Sequence, residues 1–171
     1  MEDFQSVNVA AVQNTWAIIK QDADTNAPQF YVALLTAHPE YQALFDAFAN
    51  VPVGELLNAD LHVRKNHFNK NYKLILSLLF NQSLSVKVLA RLSELIDSLG
   101  NPERLISKLI DSMANEHKGR GTTRAHFDNA FVVLLDFLAA KLGSAFTPEA
   151  KQAWTVTIHG ISTVLRWRHS L

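Results

Sequence analysis

Hydrophobic residues recur along this chain at intervals of three and four, which is the spacing of one face of an α-helix. The first such stripe contains Val9, Val12, Trp16 and Ile19. Comparable stripes follow as far as the C-terminal segment, and the strict alternation that is typical of a half-buried β-strand is not found. The pattern therefore predicts an all-α protein of about eight helices, folded as one domain over residues 1–171.

Breaks between the early helices are marked by proline. Asn26 precedes Pro28, a pattern that predicts a capping residue and a first-turn proline at the start of the second helix. The pair His38-Pro39 predicts the end of that helix, because the residue before proline is disfavoured in the α region. A short helix through Tyr41 is expected to follow.

A clear stop and restart signal lies at residues 100–102, where the sequence reads Gly-Asn-Pro. The next helix is expected to carry one apolar face, made of Leu105, Ile106, Leu109, Ile110 and Met113. His117 lies four residues past Met113 and shares that face, and Gly119 and Gly121 then end the helix.

Two further helices complete the predicted chain. The first carries a long apolar stripe and is expected to end at Gly143, and Thr147-Pro148 is expected to begin the last helix. The apolar stripe of the first contains Phe127, Phe131, Leu134, Leu135 and Leu138.

Charge and cysteine content narrow the classes of partner. The chain has 16 Lys plus Arg and 16 Asp plus Glu, so its formal net charge is zero, which argues against nucleic acid or an acidic membrane as the main partner. The absence of cysteine excludes disulfides and thiolate metal sites and is compatible with a reducing compartment. No stretch is long and apolar enough to span a bilayer, and the N-terminal segment lacks the pattern of a signal peptide. We therefore expect a soluble cytoplasmic protein.

His117 is the most informative candidate for chemistry. A histidine on an apolar helix face is usually a core or rim residue, but a neutral imidazole facing an apolar slot is also what an axial haem ligand requires. Free backbone carbonyls near a helix end can fix the ring, and the carbonyl of Met113, one turn earlier, is the expected acceptor. The helix dipole favours a protonated ring at this end, whereas burial favours the neutral one, and we expect burial to dominate in a closed site.

Several segments, taken in order, resemble the globin family, particularly its invertebrate members. They are Trp16 in the first helix, FYVALLTAHPEYQALFDAF at 30–48, VLARLSELIDSLGNPERL at 88–105, NEHKGRGTTRAHF at 115–127 and FTPEAKQAWTVTI at 146–158. Together they cover nearly the whole chain. The resemblance implies a globin fold that binds haem b, which is iron protoporphyrin IX, with His117 as the proximal ligand of the iron.

The same resemblance suggests two residues near the haem in the first part of the chain. Phe45 matches the phenylalanine that stacks on the porphyrin, although an ordinary core aromatic would also fit this position. Tyr31 matches the second-helix position above the iron, where its hydroxyl would donate a hydrogen bond to a bound gas. The alternative for Tyr31 is a ring packed in the core with its hydroxyl reaching solvent.

The distal side allows two registers. In the first, Leu84 is the distal residue and Val88 lies above the iron, so that residues 59–80 form an extra helical segment between the corner after the third helix and the end of the fifth. In the second, the distal residue is Asn71, with Ile75 above the iron. We favour Leu84, because the local match to the family is longer in that register.

His67 lies in this disputed segment and is a candidate sixth ligand of the iron. The surrounding run RKNHFNKNYK is basic with two aromatic residues, a pattern that also occurs in nucleic-acid-binding patches. A solvated helix face explains the run better, since the net charge of the chain is zero.

The expected function is reversible binding of dioxygen, or of carbon monoxide or nitric oxide, for transport, storage or sensing. One rival is an enzyme, such as a nitric oxide dioxygenase or a peroxidase. Peroxidase chemistry needs a distal acid or base that Leu84 cannot supply and His67 can. A second rival is a helical interaction module without haem, with residues 59–80 as its partner surface. The sequence favours the carrier over the enzyme and leaves open whether two copies form a dimer.

Overall fold

A computed structural model of the chain describes residues 8–44 and 85–168. Every regular element in these two ranges is helical, which confirms the all-α prediction there. The elements are α1 (Val9–Lys20), α2 (Ala23–Ala37), a 3₁₀-helix (Pro39–Leu44), α3 (Ser85–Asp97), α4 (Pro102–Lys108), a π-helix (Leu109–Asn115), α5 (Arg124–Leu142), a 3₁₀ turn (Gly143–Ala145) and α6 (Pro148–Arg168). Within the two ranges, no helix combines the length and the apolar character that crossing a membrane requires. The extra helical segment predicted at 59–80 lies outside the described residues.

The described residues belong to two compact units. The first unit contains those of 1–22 and 90–171, and the second contains those of 23–89. The first unit therefore holds α1, most of α3 and everything after it, and the second holds α2, the 3₁₀-helix and the start of α3. The single domain over residues 1–171 stays a prediction.

The core of the first unit forms where α1 packs against α5 and α6. At its centre the rings of Trp16 and Trp154 lie 5.8 Å apart between centroids, tilted by 57°. The indole N–H of Trp154 donates to Thr15 Oγ1 at 2.9 Å, and that of Trp16 donates to Ser93 Oγ at 2.9 Å. Both buried N–H groups are thus satisfied, so the two tryptophans bury their rings without leaving a polar group unpaired.

The predicted starts of two later helices are confirmed by their capping bonds. Asn101 Oδ1 accepts a hydrogen bond from the backbone N–H of Arg104 at 3.0 Å, with Pro102 as the first residue of α4. Thr147 Oγ1 accepts from the backbone N–H of Ala150 at 3.2 Å at the start of α6. Each cap satisfies one of the backbone donors that a helix N-terminus leaves free.

The predicted start of the second helix is wrong. α2 begins at Ala23, and Pro28 lies inside the helix rather than in its first turn. Asn26 is buried within the helix instead of capping it. Asp24 provides a carboxylate in the first turn, which favours the earlier start, and the missing N–H of Pro28 costs one backbone hydrogen bond near that end.

The second unit confirms the break at His38-Pro39. α2 ends at Ala37, and the 3₁₀-helix begins at Pro39. The His38 ring stacks on the Tyr41 ring at 4.6 Å between centroids, with an interplanar angle of 11°. The corner is therefore closed by an aromatic contact as well as by the backbone restriction before proline.

The apolar stripe predicted one continuous α-helix leading to His117. This prediction is wrong for part of the helix. Its middle part, Leu109–Asn115, is a π-helix. A π-helix bonds each residue to the fifth along the chain and is rare in proteins, so a spacing of three and four does not reveal it. The predicted end of the helix is confirmed, since Gly119 and Gly121 adopt φ angles of 78° and 72° just after it.

Leu138 and Val132 offer a matched pair of substitutions on α5 for testing the packing of the core. Leu138 is 0% exposed, whereas Val132 is 60% exposed. We expect Leu138→Ala to lower the free energy of unfolding by about 2–5 kcal/mol, because it leaves a cavity. Val132→Ala should change it by no more than about 0.5 kcal/mol. Urea denaturation followed by circular dichroism measures both, and equal losses in the two variants would contradict the described core.

Candidate functional site

His117 ends the helical segment that begins at Pro102, and its side chain is partly buried. Its carbonyl accepts a hydrogen bond from the backbone N–H of Arg120 at 3.2 Å, so the chain turns immediately after the imidazole. Met113 lies in the π-helix before it. The hydrogen bond that we expect from the His117 ring to the Met113 carbonyl stays a prediction.

Phe127 is the functional neighbour that the sequence analysis missed. Its ring centroid lies 5.0 Å from that of His117, with an interplanar angle of 77°, which is an edge-to-face contact. Phe127 is buried, so it places an apolar wall beside the imidazole and limits the rotation of that ring. The sequence analysis placed Phe127 only in the core stripe of its helix. Its position just beyond the glycine turn after His117 was the signal that could have indicated its contact with the imidazole.

The start of α5 holds Phe127 in place through an unusual cap. The backbone N–H of Thr123, just before the helix, donates to Nδ1 of His126 at 2.7 Å. A glutamate or glutamine side chain more often makes this reciprocal bond. Because Nδ1 accepts here, it carries no hydrogen, and the bond fixes the backbone one residue before Phe127.

Four charged side chains join α3 to the helix of His117. Arg91 Nη2 lies 2.7 Å from Glu116 Oε1, and Arg91 Nη1 lies 3.0 Å from Glu94 Oε1. Lys108 Nζ lies 3.0 Å from Glu94 Oε2. The hydrogen bond with Glu116 raises the pKa of Arg91 above its ordinary value, and the hydrogen bond from Lys108 lowers the pKa of Glu94. Both shifts favour the ionised forms of Arg91 and Glu94.

The lowered pKa of Glu94 predicts how stability depends on pH. A carboxylate whose pKa is lower in the folded chain contributes stability above its unfolded pKa and loses that contribution as the pH falls through the folded value. We expect Glu94→Gln to lower the melting temperature at pH 7 by a few degrees at most, since the pair is partly exposed. The difference from wild type should vanish as the pH falls below the lowered pKa of Glu94. A difference that grows on acidification would contradict this.

Tyr31 and Val88 are the two predicted distal-side residues that the structure describes, both in the second unit. Tyr31 lies on α2 beside Phe30, with 6.4 Å between the ring centroids. Burial raises the pKa of the Tyr31 phenol far above its usual range. The hydroxyl thus keeps its proton at any physiological pH, and a protonated phenol can donate a hydrogen bond. Val88 lies on α3 and is half-buried.

The other predicted site residues fall outside the described ranges. These are Phe45, Leu84 and His67, together with the alternative distal residue Asn71. Their roles, and the choice between the two distal registers, stay predictions.

The residues around His117 fit a haem group. Within residues 8–44 and 85–168, no group of three or more His, Asp and Glu side chains could hold a metal ion by itself. His117 instead presents a single partly buried imidazole against an aromatic wall. One imidazole from a helix is the donor that many haem proteins provide to the iron.

A family model described as Globin matches residues 66–165 of this chain. The chain belongs to the globin family. The matched range contains His117, whereas Tyr31 and Phe45 precede it. Membership of this family implies a haem cofactor.

Individual relatives confirm the resemblance to invertebrate globins. The chain is 26% identical over 149 residues to a globin of Aequiyoldia eightsii, with 84% of this chain and 85% of that protein covered. It is 25% identical over 156 residues to globin CTT-VIII of Chironomus thummi thummi, with 90% and 86% covered.

A solved structure confirms the fold of this globin. It is the crystal structure of a hexacoordinated heme protein from an anhydrobiotic tardigrade at pH 4. It matches with a TM-score of 0.67 at 15% identity, and the match covers 97% of this chain and 92% of that one. At this identity the likeness concerns the fold alone.

Proposed function

We propose that this globin binds one haem b through His117 and uses it for reversible binding of a diatomic gas, with dioxygen as the main ligand. The observation that carries the proposal is the setting of His117. Its imidazole is partly buried at a helix end and makes an edge-to-face contact with the ring of Phe127. His117 also lies within the range that the globin family model matches. Transport, storage and sensing all use this same binding step.

His117 would hold the haem from the proximal side. Ligation requires the lone pair of one ring nitrogen, while the other nitrogen carries the hydrogen and donates it to a fixed acceptor. The Met113 carbonyl is the proposed acceptor, and Phe127 restricts the ring from the side. Such support keeps the imidazole in one orientation, so that little freedom is lost when the haem is bound. When bound, the haem would supply an iron atom that can bind a gas reversibly.

Tyr31 would determine which gas is held most firmly. Its phenol is protonated, because burial raises its pKa, and it can therefore donate a hydrogen bond. Dioxygen would carry more partial negative charge than carbon monoxide in such a site, so it would be the better acceptor of a hydrogen bond from Tyr31. A donor in the pocket accordingly stabilises dioxygen more than carbon monoxide.

Apolar side chains would keep the pocket dry. Val88 is half-buried on α3, and Phe45 and Leu84 are the two further wall residues that we propose. Exclusion of water and protons slows oxidation of the iron, which a reversible carrier requires.

Haem titration tests the proposed function. The purified haem-free chain is titrated with ferric haem, reduced, and exposed in turn to carbon monoxide and to dioxygen. We expect saturation at one haem per chain, and gas-dependent spectra that return to the starting form when the gas is removed. A chain without saturable haem binding would be an interaction module instead. Steady peroxide turnover that His67→Ala abolishes would identify an enzyme.

A further inference from the structure

Both ends of the π-helix are tied to one turn of α3 by ion pairs. Lys108, the residue just before the π-helix, binds Glu94, and Glu116, the residue just after it, binds Arg91. Arg91 and Glu94 are themselves paired at a spacing of three residues on α3. We call these four side chains the proximal clamp.

A π-helix is rare and occurs mostly as a single-turn bulge inside an α-helix, which indicates that contacts from the surrounding structure favour it where it forms. Relaxation of Leu109–Asn115 to an α-helix would rotate the residues after it relative to those before it. His117 follows Glu116 directly, so it would rotate as well. A contact that holds Glu116 against α3 opposes this rotation.

We propose that Arg91 is a positioning residue for His117: by binding Glu116 while its neighbour Glu94 binds Lys108, it fixes the orientation of the imidazole at the end of the π-helix. The inference deepens the proposed function and rests on it, since it assumes that His117 is the ligand of the iron. The clamp would thereby tune the bond between iron and imidazole. It would do so through the orientation of His117, without a contact of its own to the haem.

The clamp should also respond to ionic strength. The side chains of its four members are 36–45% exposed, so the attraction between them is screened by salt. Raising the salt concentration should therefore loosen the end of the π-helix in the wild-type protein, without any substitution.

The test compares Arg91→Gln, which removes the charge, with Arg91→Lys, which retains it. Lys20→Gln is the matched control, because Lys20 forms a separate ion pair with Asp97 of α3, 3.8 Å apart and similarly exposed. Two readouts are taken on the haem-loaded protein. They are amide hydrogen exchange over residues 109–117 and the iron–histidine stretching band of the ferrous form in resonance Raman spectra.

We expect Arg91→Gln to speed exchange over residues 109–117 by about twofold to fivefold, and to shift or broaden the iron–histidine band. Wild type in 1 M salt should show the same two changes, whereas Arg91→Lys and Lys20→Gln should stay close to wild type in low salt. The proposal is overturned if Arg91→Gln leaves the band unchanged, even with faster exchange, or if Lys20→Gln has the same effects. A wild-type protein with no iron–histidine band would instead refute the proposed ligand, while the exchange data still report whether the clamp holds the helix.

Discussion

His117→Ala should abolish stable haem binding. The substitution removes the proposed proximal bond between the chain and the iron, and leaves mainly apolar contacts to hold the porphyrin. Loss of a residue that only hydrogen-bonds to a metal ligand often lowers metal affinity by about 10- to 100-fold. We therefore expect loss of the ligand itself to lower haem affinity by more than about 100-fold. Haem transfer to an acceptor protein, followed by absorbance in the Soret region, measures the effect.

His159→Ala is the matched control for that experiment. His159 is exposed on α6, in the same unit as His117, so its loss changes the histidine content without changing the proposed site. Free imidazole added to the His117→Ala protein should restore part of the wild-type spectrum by replacing the lost ligand. Haem retention equal to wild type in His117→Ala would show that another residue binds the iron.

Tyr31→Phe is expected to produce the second large effect, on the release of dioxygen. A hydrogen bond to a ligand with partial negative charge corresponds to a change of roughly 10- to 100-fold in affinity. Removing the hydroxyl should therefore speed dioxygen dissociation by about that factor, with a much smaller effect on carbon monoxide. Stopped-flow measurements on the ferrous protein give both rates.

Tyr41→Phe provides the comparison for Tyr31. Tyr41 is buried in the same unit, and its ring stacks on His38. We assign Tyr41 a structural role only, so Tyr41→Phe removes a tyrosine hydroxyl without changing the proposed pocket. Its variant should release dioxygen at the wild-type rate. An unchanged rate in Tyr31→Phe, or equal acceleration in both variants, would remove Tyr31 from the proposed pocket.

The parts of the fold that the sequence predicted well are those with local causes. Helical periodicity follows from the side chains of each segment, and Asn101 and Thr147 form the caps expected of them, because a cap depends on residues that are neighbours in the chain. The position of His117 at a helix end before a glycine turn was predicted in the same way, whereas its role as the ligand of the iron stays a prediction.

The features that the sequence did not predict have tertiary causes. The apolar stripe at Leu109–Asn115 fits an α-helix as well as the π-helix that the structure shows. The clamp at its ends includes two residues of α3, which are distant in the sequence. Phe127 meets His117 only because the chain reverses between them.

A crystal structure of the haem-loaded protein tests the central claim most directly, because it shows which atom binds the iron. The account predicts continuous electron density between the iron and a ring nitrogen of His117, with the other ring nitrogen hydrogen-bonded to the Met113 carbonyl. Iron bound by His67 alone, or by no side chain, with the His117 ring turned towards solvent, would contradict it.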